Sequence, residues 1–238
     1  GSQYGGSIIE NCEAYGAIEC KAADAGGIVG YSAYINGSAN EMLISGCTNY
    51  ADLNGFGYLG GIAGVASSVI KDCVNHGNIV ASYDYSGGIV GYQNVGKLYN
   101  CGNTGKIEGR DNVGGISGYS RQKSKLYNCY NAGHIVGQDW VGGIIGYCDT
   151  YDSVPLETQV KNCINWGMIE AQYGMEYVGS ICGLNVSTVS NCYWLYDPEK
   201  GLGMERGIGI TESRGKTEKC FALTQDQMAS EANSSTPL

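Results

Sequence analysis

Proline and phenylalanine are almost missing from this chain: three and two in 238 residues. So little proline excludes a Pro-rich disordered linker. No run of about eighteen apolar residues occurs, so no membrane insertion is expected of this segment. No signal peptide or sorting signal is visible. Histidine numbers two, His76 and His134, and neither begins the His-Glu-x-x-His word of a zinc peptidase. Basic residues are scarce as well, 14 against 23 acidic, for a net charge of −9. Such a surface repels phosphate backbones and anionic lipid, which excludes nucleic acid as the expected partner.

What the chain has instead is glycine, tyrosine and cysteine: 39, 19 and 11 residues. The glycine is not scattered. "AGGIVGY" from Ala25 returns as "SGGIVGY" from Ser86, "NVGGISGY" from Asn112 and "VGGIIGY" from Val141. The Gly-Gly pairs, with one decayed copy, start at Gly26, Gly60, Gly87, Gly114, Gly142 and Gly179, at intervals of 34, 27, 27, 28 and 37 residues. A second word keeps step. It reads "IKDCVNHGNI" from Ile70, "LYNCGNTGKI" from Leu98, "LYNCYNAGHI" from Leu126 and "VKNCINWGMI" from Val160, with looser copies from Ile9 and Ile44 and a broken one from Val189. The unit is about 28 residues, with extra residues after Tyr31 and after Tyr147.

A period of that length signals stacked repeats, and the unit selects which kind. It holds apolar or β-branched pieces of three to six residues separated by Gly, Asn and Asp. No stretch has ten residues of helical spacing, so two amphipathic helices per unit do not fit. Three short strands and three turns do. The expected fold is all-β: a right-handed parallel β-helix of about seven coils, stacked ~4.8 Å apart. Each residue then sits above its equivalent in the previous coil. Repeated glycine marks a column that needs either φ > 0 or a close backbone approach. Asn100 and Asn103 return as Asn128 and Asn131, then as Asn162 and Asn165. Asparagine tolerates left-handed turns, and its amide can bond to the coils above and below.

Seven cysteines share one repeat position: Cys12, Cys47, Cys73, Cys101, Cys129, Cys163 and Cys192. In-register stacking holds equivalent Cβ atoms ~4.8 Å apart on parallel vectors. A disulfide wants them about 3.8 Å apart and turned toward each other. The column therefore reads as reduced thiols acting as small interior hydrophobes. Cys20, Cys148, Cys182 and Cys220 fall outside it, and their pairing stays open. No CxxC suggests zinc, and no cofactor or metal is expected.

The two words in phase, as in "NCYNAGHIVGQDWVGGIIGY", resemble the GLUG-motif repeats of large bacterial surface proteins. These include adhesin-type proteins and the non-catalytic part of IgA-specific metallopeptidases. The resemblance covers roughly residues 8–196, and "NCYWLYDPEKGLG" followed by "FALTQDQM" is similar to the family's usual exit. It implies an extracellular, cell-surface β-helix within a longer chain, and it supplies no ligand.

Other Gly-rich readings fail. A phosphate cradle needs one Gly-rich loop between strand and helix, and a calcium β-roll needs Asp in each Gly-rich nonapeptide. One feature remains. Three residues before the Gly-Gly pairs stand Gly57, Asp84, Asp111, Asp139 and Glu176; two before stand Tyr58, Tyr85, Asn112, Trp140 and Tyr177. Stacking makes an acidic column beside an aromatic one. The plain reading is an exposed turn lip whose chemistry the repeat copies. The second is a contact surface for a host glycan or a host or matrix protein. The third is catalysis by paired carboxylates, as in a β-helix polysaccharide lyase or glycoside hydrolase. Arg110 is the one base near the column, so no catalytic residue is assigned. His76 and His134 align with no column and read as turn or surface residues.

The solenoid is expected over residues 1–196, and the chain reads as a piece of a longer protein whose other domains are its neighbours. Residues 197–238 lose the repeat and read as a C-terminal cap. "LTQDQMASEA" predicts one short helix, with Thr224 as N-cap and Gln227 three residues on. The expected function is a non-enzymatic extracellular repeat module, adhesin or rigid spacer.

Overall fold

The computed structural model describes residues 2–3, 6–32, 42–149, 158–172 and 176–232. The two insertions, after Tyr31 and after Tyr147, lie mostly outside them. The protein is a parallel β-helix. One coil shows the plan: strands Lys97–Tyr99, Gly102–Asn103, Ile107–Glu108, Asp111–Gly114 and Ser117–Arg121 follow in order. Each pairs in parallel with its equivalent in the coils before and after, as Leu98 with Ile70 and Leu126. The result is five sheets of 8, 9, 6, 6 and 8 strands. Three strands per coil were expected. The Asn-x-Gly and Gly-Gly corners break what reads as longer segments, so the coil has five.

Local alternation decides which way the side chains face. In Lys97–Tyr99 the leucine is fully buried and its neighbours are half-buried, the period of two that a strand imposes. Two apolar clusters fill the coil. One stacks Ile44, Ile70, Leu98, Leu126, Val160 and Val189 against the cysteines and against Ile62, Ile89, Ile116, Ile144 and Ile181. The other stacks Leu53, Ile79, Ile107 and Ile135 against Leu59, Val113, Val141 and Val178. No single coil could bury either set; the stack does.

Between the clusters stands a polar wall. Asn49, Asn75, Asn103, Asn131 and Asn165 are almost wholly buried. Each of the first four donates its amide to the next Oδ1, at 2.7–2.8 Å. Each of the five also donates to the carbonyl two residues on. Glycine faces them. A Cβ added to Gly27, Gly61, Gly88, Gly115 or Gly143 would overlap the Asn amide and the next coil's carbonyl oxygen. The repeated Gly-Gly is therefore a matter of space; none of these glycines has positive φ.

Positive φ is carried by other residues. The position before each cysteine is left-handed in all eight coils: Asn11, Gly46, Asp72, Asn100, Asn128, Asn162, Asn191 and Lys219, with φ from 51° to 61°. Asn and Asp take that region at small cost, as the Asn pairs suggest. The eighth member brings a correction. Tyr193 pairs with Phe221, which sets Cys220 in register with Cys192. The cysteine column thus has eight members, and each thiol contacts the carbonyl two residues back, at 3.2–3.4 Å. All eleven cysteines are free thiols.

The stacking also runs past residue 196. Ile208–Thr211, Lys216–Glu218 and Phe221–Leu223 each add one parallel strand to the last coil's sheets. Among the described residues, only Leu202–Gly203 pairs antiparallel. The tail, expected as a cap alone, thus adds a partial further coil. The helix forms at Gln225–Ala232. Its capping box is as the sequence predicts: Gln227 N–H donates to Thr224 Oγ1 at 3.3 Å, and Thr224 N–H to Gln227 Oε1 at 2.8 Å.

Candidate functional site

The turn before five of the six Gly-Gly pairs carries a left-handed residue. Asp24, Tyr58, Tyr85, Asn112 and Trp140 all sit at φ between 51° and 67°. Aromatic residues rarely take that conformation, so the surrounding structure must hold them there. The third glycine of each "GGIxGY" word does part of this. A Cβ on Gly64, Gly91, Gly118 or Gly146 would come within 2.6–2.7 Å of the carbonyl oxygen of Tyr58, Tyr85, Asn112 or Trp140. The two walls of the turn touch through glycine, and the rings are turned out over the neighbouring sheet.

There they meet a second row, the tyrosine that ends the word. Tyr58 and Tyr85 lie 4.8 Å apart, and both approach Tyr92, at 5.8 and 5.7 Å. Tyr119 stacks on Tyr92 at 5.2 Å and touches Tyr85 at 5.6 Å and Tyr147 at 5.1 Å. Trp140 joins Tyr147 and Tyr177 at 6.2 and 6.1 Å. Seven half-buried rings thus form one strip along the solenoid axis. Asn112 is the one polar member of its row, and Tyr119 bridges the gap it leaves. Asn112 is no exposed lip residue: it is 4% exposed and its Oδ1 meets no donor among the described residues. Trp140 Nε1 is likewise buried without an acceptor there.

Sequence reasoning picked Tyr58, Tyr85, Trp140 and Tyr177 but missed Tyr92, Tyr119 and Tyr147. The signal was present, since tyrosine recurs at one offset in the word. Arg121 Nη1 donates to Tyr92 Oη at 3.2 Å, and Tyr119 Oη donates to Asp149 Oδ2 at 2.6 Å. Burial raises the phenol pKa of Tyr58 and Tyr85, and that of Tyr147 to about 12.

The acidic column borders the strip. Asp84, Asp111 and Asp139 are half-buried and Glu176 is exposed; Asp111 and Asp139 are register partners. Arg110 Nε bridges two of them, 3.1 Å from Asp84 Oδ1 and 3.5 Å from Asp111 Oδ2. Its guanidinium lies 4.2 Å above the Tyr83 ring, which stacks on Phe56 at 5.0 Å. Partial burial raises the Asp84 carboxyl pKa, against the pull of Arg110. Asp84 and Asp111 thus share one guanidinium. Chemically the strip offers ring faces, and its border offers carboxylates and a guanidinium for hydroxyl groups.

A second stack runs on another face. Tyr15 lies on Tyr50 at 4.9 Å and Tyr50 on His76 at 5.0 Å, while His76 Nδ1 bonds Thr104 Oγ1 at 2.7 Å. His76 therefore belongs to a column after all. His134 Nε2 lies 3.4 Å from Glu170 Oε2. No cluster of three or more His, Cys, Asp or Glu with metal-binding geometry occurs among the described residues. No helix among them is long and apolar enough to cross a membrane.

Comparison with known proteins places nothing beside this chain: no family model, no curated protein and no solved structure matches it.

Proposed function

We propose that the chain is a non-enzymatic, extracellular repeat module of a bacterial surface protein, of the GLUG-motif type, and that its aromatic strip is a glycan-contact surface. The observation that carries this is the strip itself. Seven rings in continuous contact hold Tyr58, Tyr85 and Trp140 in left-handed backbone. A turn built only for folding would use glycine, asparagine or aspartate there, as the column before the cysteines does at every position but Lys219. Half-buried aromatic faces suit the C–H faces of sugar rings, and the flanking Asp84, Asp111, Asp139 and Arg110 suit hydroxyls. The rigid stack would also hold such a surface at a fixed distance from neighbouring domains.

A glycan array probed with the wild-type module tests the reading. Binding is expected to a defined subset of glycans, and Trp140→Ala should abolish it while the circular dichroism spectrum stays that of a β-helix. Retained binding in Trp140→Ala and Tyr119→Ala would remove the strip from the account. Binding to a matrix protein in place of glycans would keep the strip and change the ligand class. Release of reducing or unsaturated ends from acidic polysaccharides, stopped by Asp111→Asn, would instead establish a carbohydrate-active β-helix.

A further inference from the structure

The aromatic strip is long, narrow and edged with charge, and each property restricts what it can hold. Its first row takes one residue from each of five successive coils, Tyr58, Tyr85, Asn112, Trp140 and Tyr177, set by the register of the residues that follow them. Asn112 gives no ring, and Tyr119 covers that coil. At ~4.8 Å per coil the row is about 19 Å long. A pyranose adds close to one coil's rise to an extended chain, so sugar and coil stay in step along the axis. Across the axis the strip is only two rings wide. The rings are also set before any ligand arrives. Tyr85 meets Tyr92 and Tyr119 edge to face, Arg121 Nη1 donates to Tyr92 Oη, and Tyr119 Oη donates to Asp149. A rigid surface loses little freedom on binding.

Arg121 and Asp149 mark the strip's far edge. Tyr119 and Arg121 flank the buried Ser120 on one strand, so both face outward. Asp149 N–H donates to the Ser120 carbonyl at 2.9 Å, which sets Asp149 one coil on from Arg121. Burial, then Asp149 and Glu212, raise the Tyr147 phenol, which puts both carboxylates near that ring. The near edge is the acidic column from Asp84 to Glu176. There Arg110 is engaged by Asp84 and Asp111, and Arg206 donates to the Glu176 carbonyl at 3.3 Å. Carboxylates thus outnumber guanidinium groups on both edges. Lys123 and Lys125 lie beyond the corner that ends Ser117–Arg121, Lys125 in the next sheet. An anionic sugar on the strip would have like charge on either side, and the guanidinium groups that could answer it are already engaged. A neutral sugar meets no such repulsion, and carboxylates accept its hydroxyl hydrogens.

We propose that the strip takes an uncharged glycan, extended along the solenoid axis with about one sugar per coil, and that it discriminates against uronate and sulfated chains. This rests on the strip being a glycan-contact surface, and it adds the ligand's charge and direction.

A glycan array with neutral oligosaccharides, from disaccharide to octasaccharide, beside their uronate and sulfated counterparts tests both points, with calorimetry on the chains that bind. Neutral chains should bind. Their acidic counterparts should bind roughly tenfold more weakly or worse at low ionic strength, and salt should narrow the gap. Glu176→Lys combined with Glu212→Lys should strengthen binding of the acidic forms roughly threefold or more. Affinity should climb with length to about five sugars and then level. Tyr58→Gly, which suits the turn at φ 53°, should weaken a hexasaccharide roughly threefold or more and a disaccharide less. Acidic chains that bind as tightly as neutral ones overturn the inferred charge. Affinity that levels at the disaccharide, or a hexasaccharide indifferent to Tyr58→Gly, overturns the inferred direction. Either result leaves the strip a glycan surface. Binding of no glycan overturns this inference together with the reading beneath it. Melting curves on each variant separate lost binding from lost folding.

Discussion

Asn103 donates its side-chain amide to Asn131 Oδ1 at 2.8 Å and to the Gly105 carbonyl at 2.9 Å, wholly out of solvent. Both bonds recur one coil later, where Asn131 donates to Asn165 and to Gly133. A buried amide has two donor hydrogens and an acceptor oxygen, and this geometry employs all three. The carboxamide plane lies against Gly88, and no larger residue fits there. Asparagine and glycine are thus one structural unit, though they sit in different words of the repeat. Their contact divides the two apolar clusters and fixes the register of coil on coil.

Asn103→Ala should therefore be among the costliest single truncations in the protein. It leaves the Asn75 amide, the Asn131 Oδ1 and the Gly105 carbonyl each short of a partner, inside a dry interior. Loss of about 3 kcal/mol or more is expected. Asn103→Asp should do worse, since it sets a carboxylate oxygen against Asn131 Oδ1. Urea denaturation measures both. A loss below about 1 kcal/mol for Asn103→Ala would show that the ladder is not cooperative.

The glycine and its neighbour on the strip answer differently. Gly115→Val should abolish folding or cost several kcal/mol, because its Cβ would overlap Asn131 and the Gly143 carbonyl oxygen. Asn112 separates backbone from side chain. At φ 57°, Asn112→Gly should keep or raise the melting temperature, since it relieves the turn and removes an unmet Oδ1. Asn112→Ala should cost about 1 kcal/mol and Asn112→Val more. If all three melt alike, the left-handed column is not strained.

Much of this was legible in the letters, and the misreadings have identifiable causes. The spacing of Cys73, Cys101 and Cys129 is the register of the sheets, because stacked coils leave no freedom to slip. Cys220 escaped because "KCFAL" has neither the asparagine nor the isoleucine that marks the word elsewhere. Repeated glycine has two causes, freedom to turn and lack of room, and composition does not distinguish them. Here Gly115 marks lack of room, and the freedom is taken by Asn112 and Trp140. Asn112 reads as a lip residue from its polarity; the fold buries it under its own turn. Tyr92, Tyr119 and Tyr147 stay unassigned in the sequence because nothing in a one-dimensional period says which face points out. The acidic column was visible, but its tie to Arg110 depends on a contact 26 residues apart.

Thiol accessibility should follow depth in the column. Denatured protein without reductant should titrate as eleven thiols. Native protein should react at Cys12, which is exposed, and more slowly at Cys20 and Cys220, which are partly covered. The other eight are buried, and burial raises the thiol pKa at Cys163, Cys182 and Cys192, which lowers the reactive thiolate fraction further. One or two thiols in the denatured count would mean that the column is bridged.

Alkaline pH should weaken the fold in two stages, and the sign follows from the direction of the shifts. Burial raises the Cys148 thiol and the Tyr147 phenol each to about 12. A folded-state pKa above the unfolded value means that the native state holds its proton more tightly. That contribution is whole below the unfolded pKa and disappears as pH climbs to the folded one. For the thiols the decline begins near 8.5, for the phenols near 10. The melting temperature should hold level from neutral pH to about 8, then fall, and fall more steeply above about 10. Cys148→Ser should make the first stage shallower without loss at neutral pH, since the same sheet position already holds the buried Ser120 one coil below. Tyr147→Phe should make the second shallower, and phenolate absorbance should rise in step with unfolding. An alkaline limb identical in wild type, Cys148→Ser and Tyr147→Phe would place the titrating groups elsewhere in the stack.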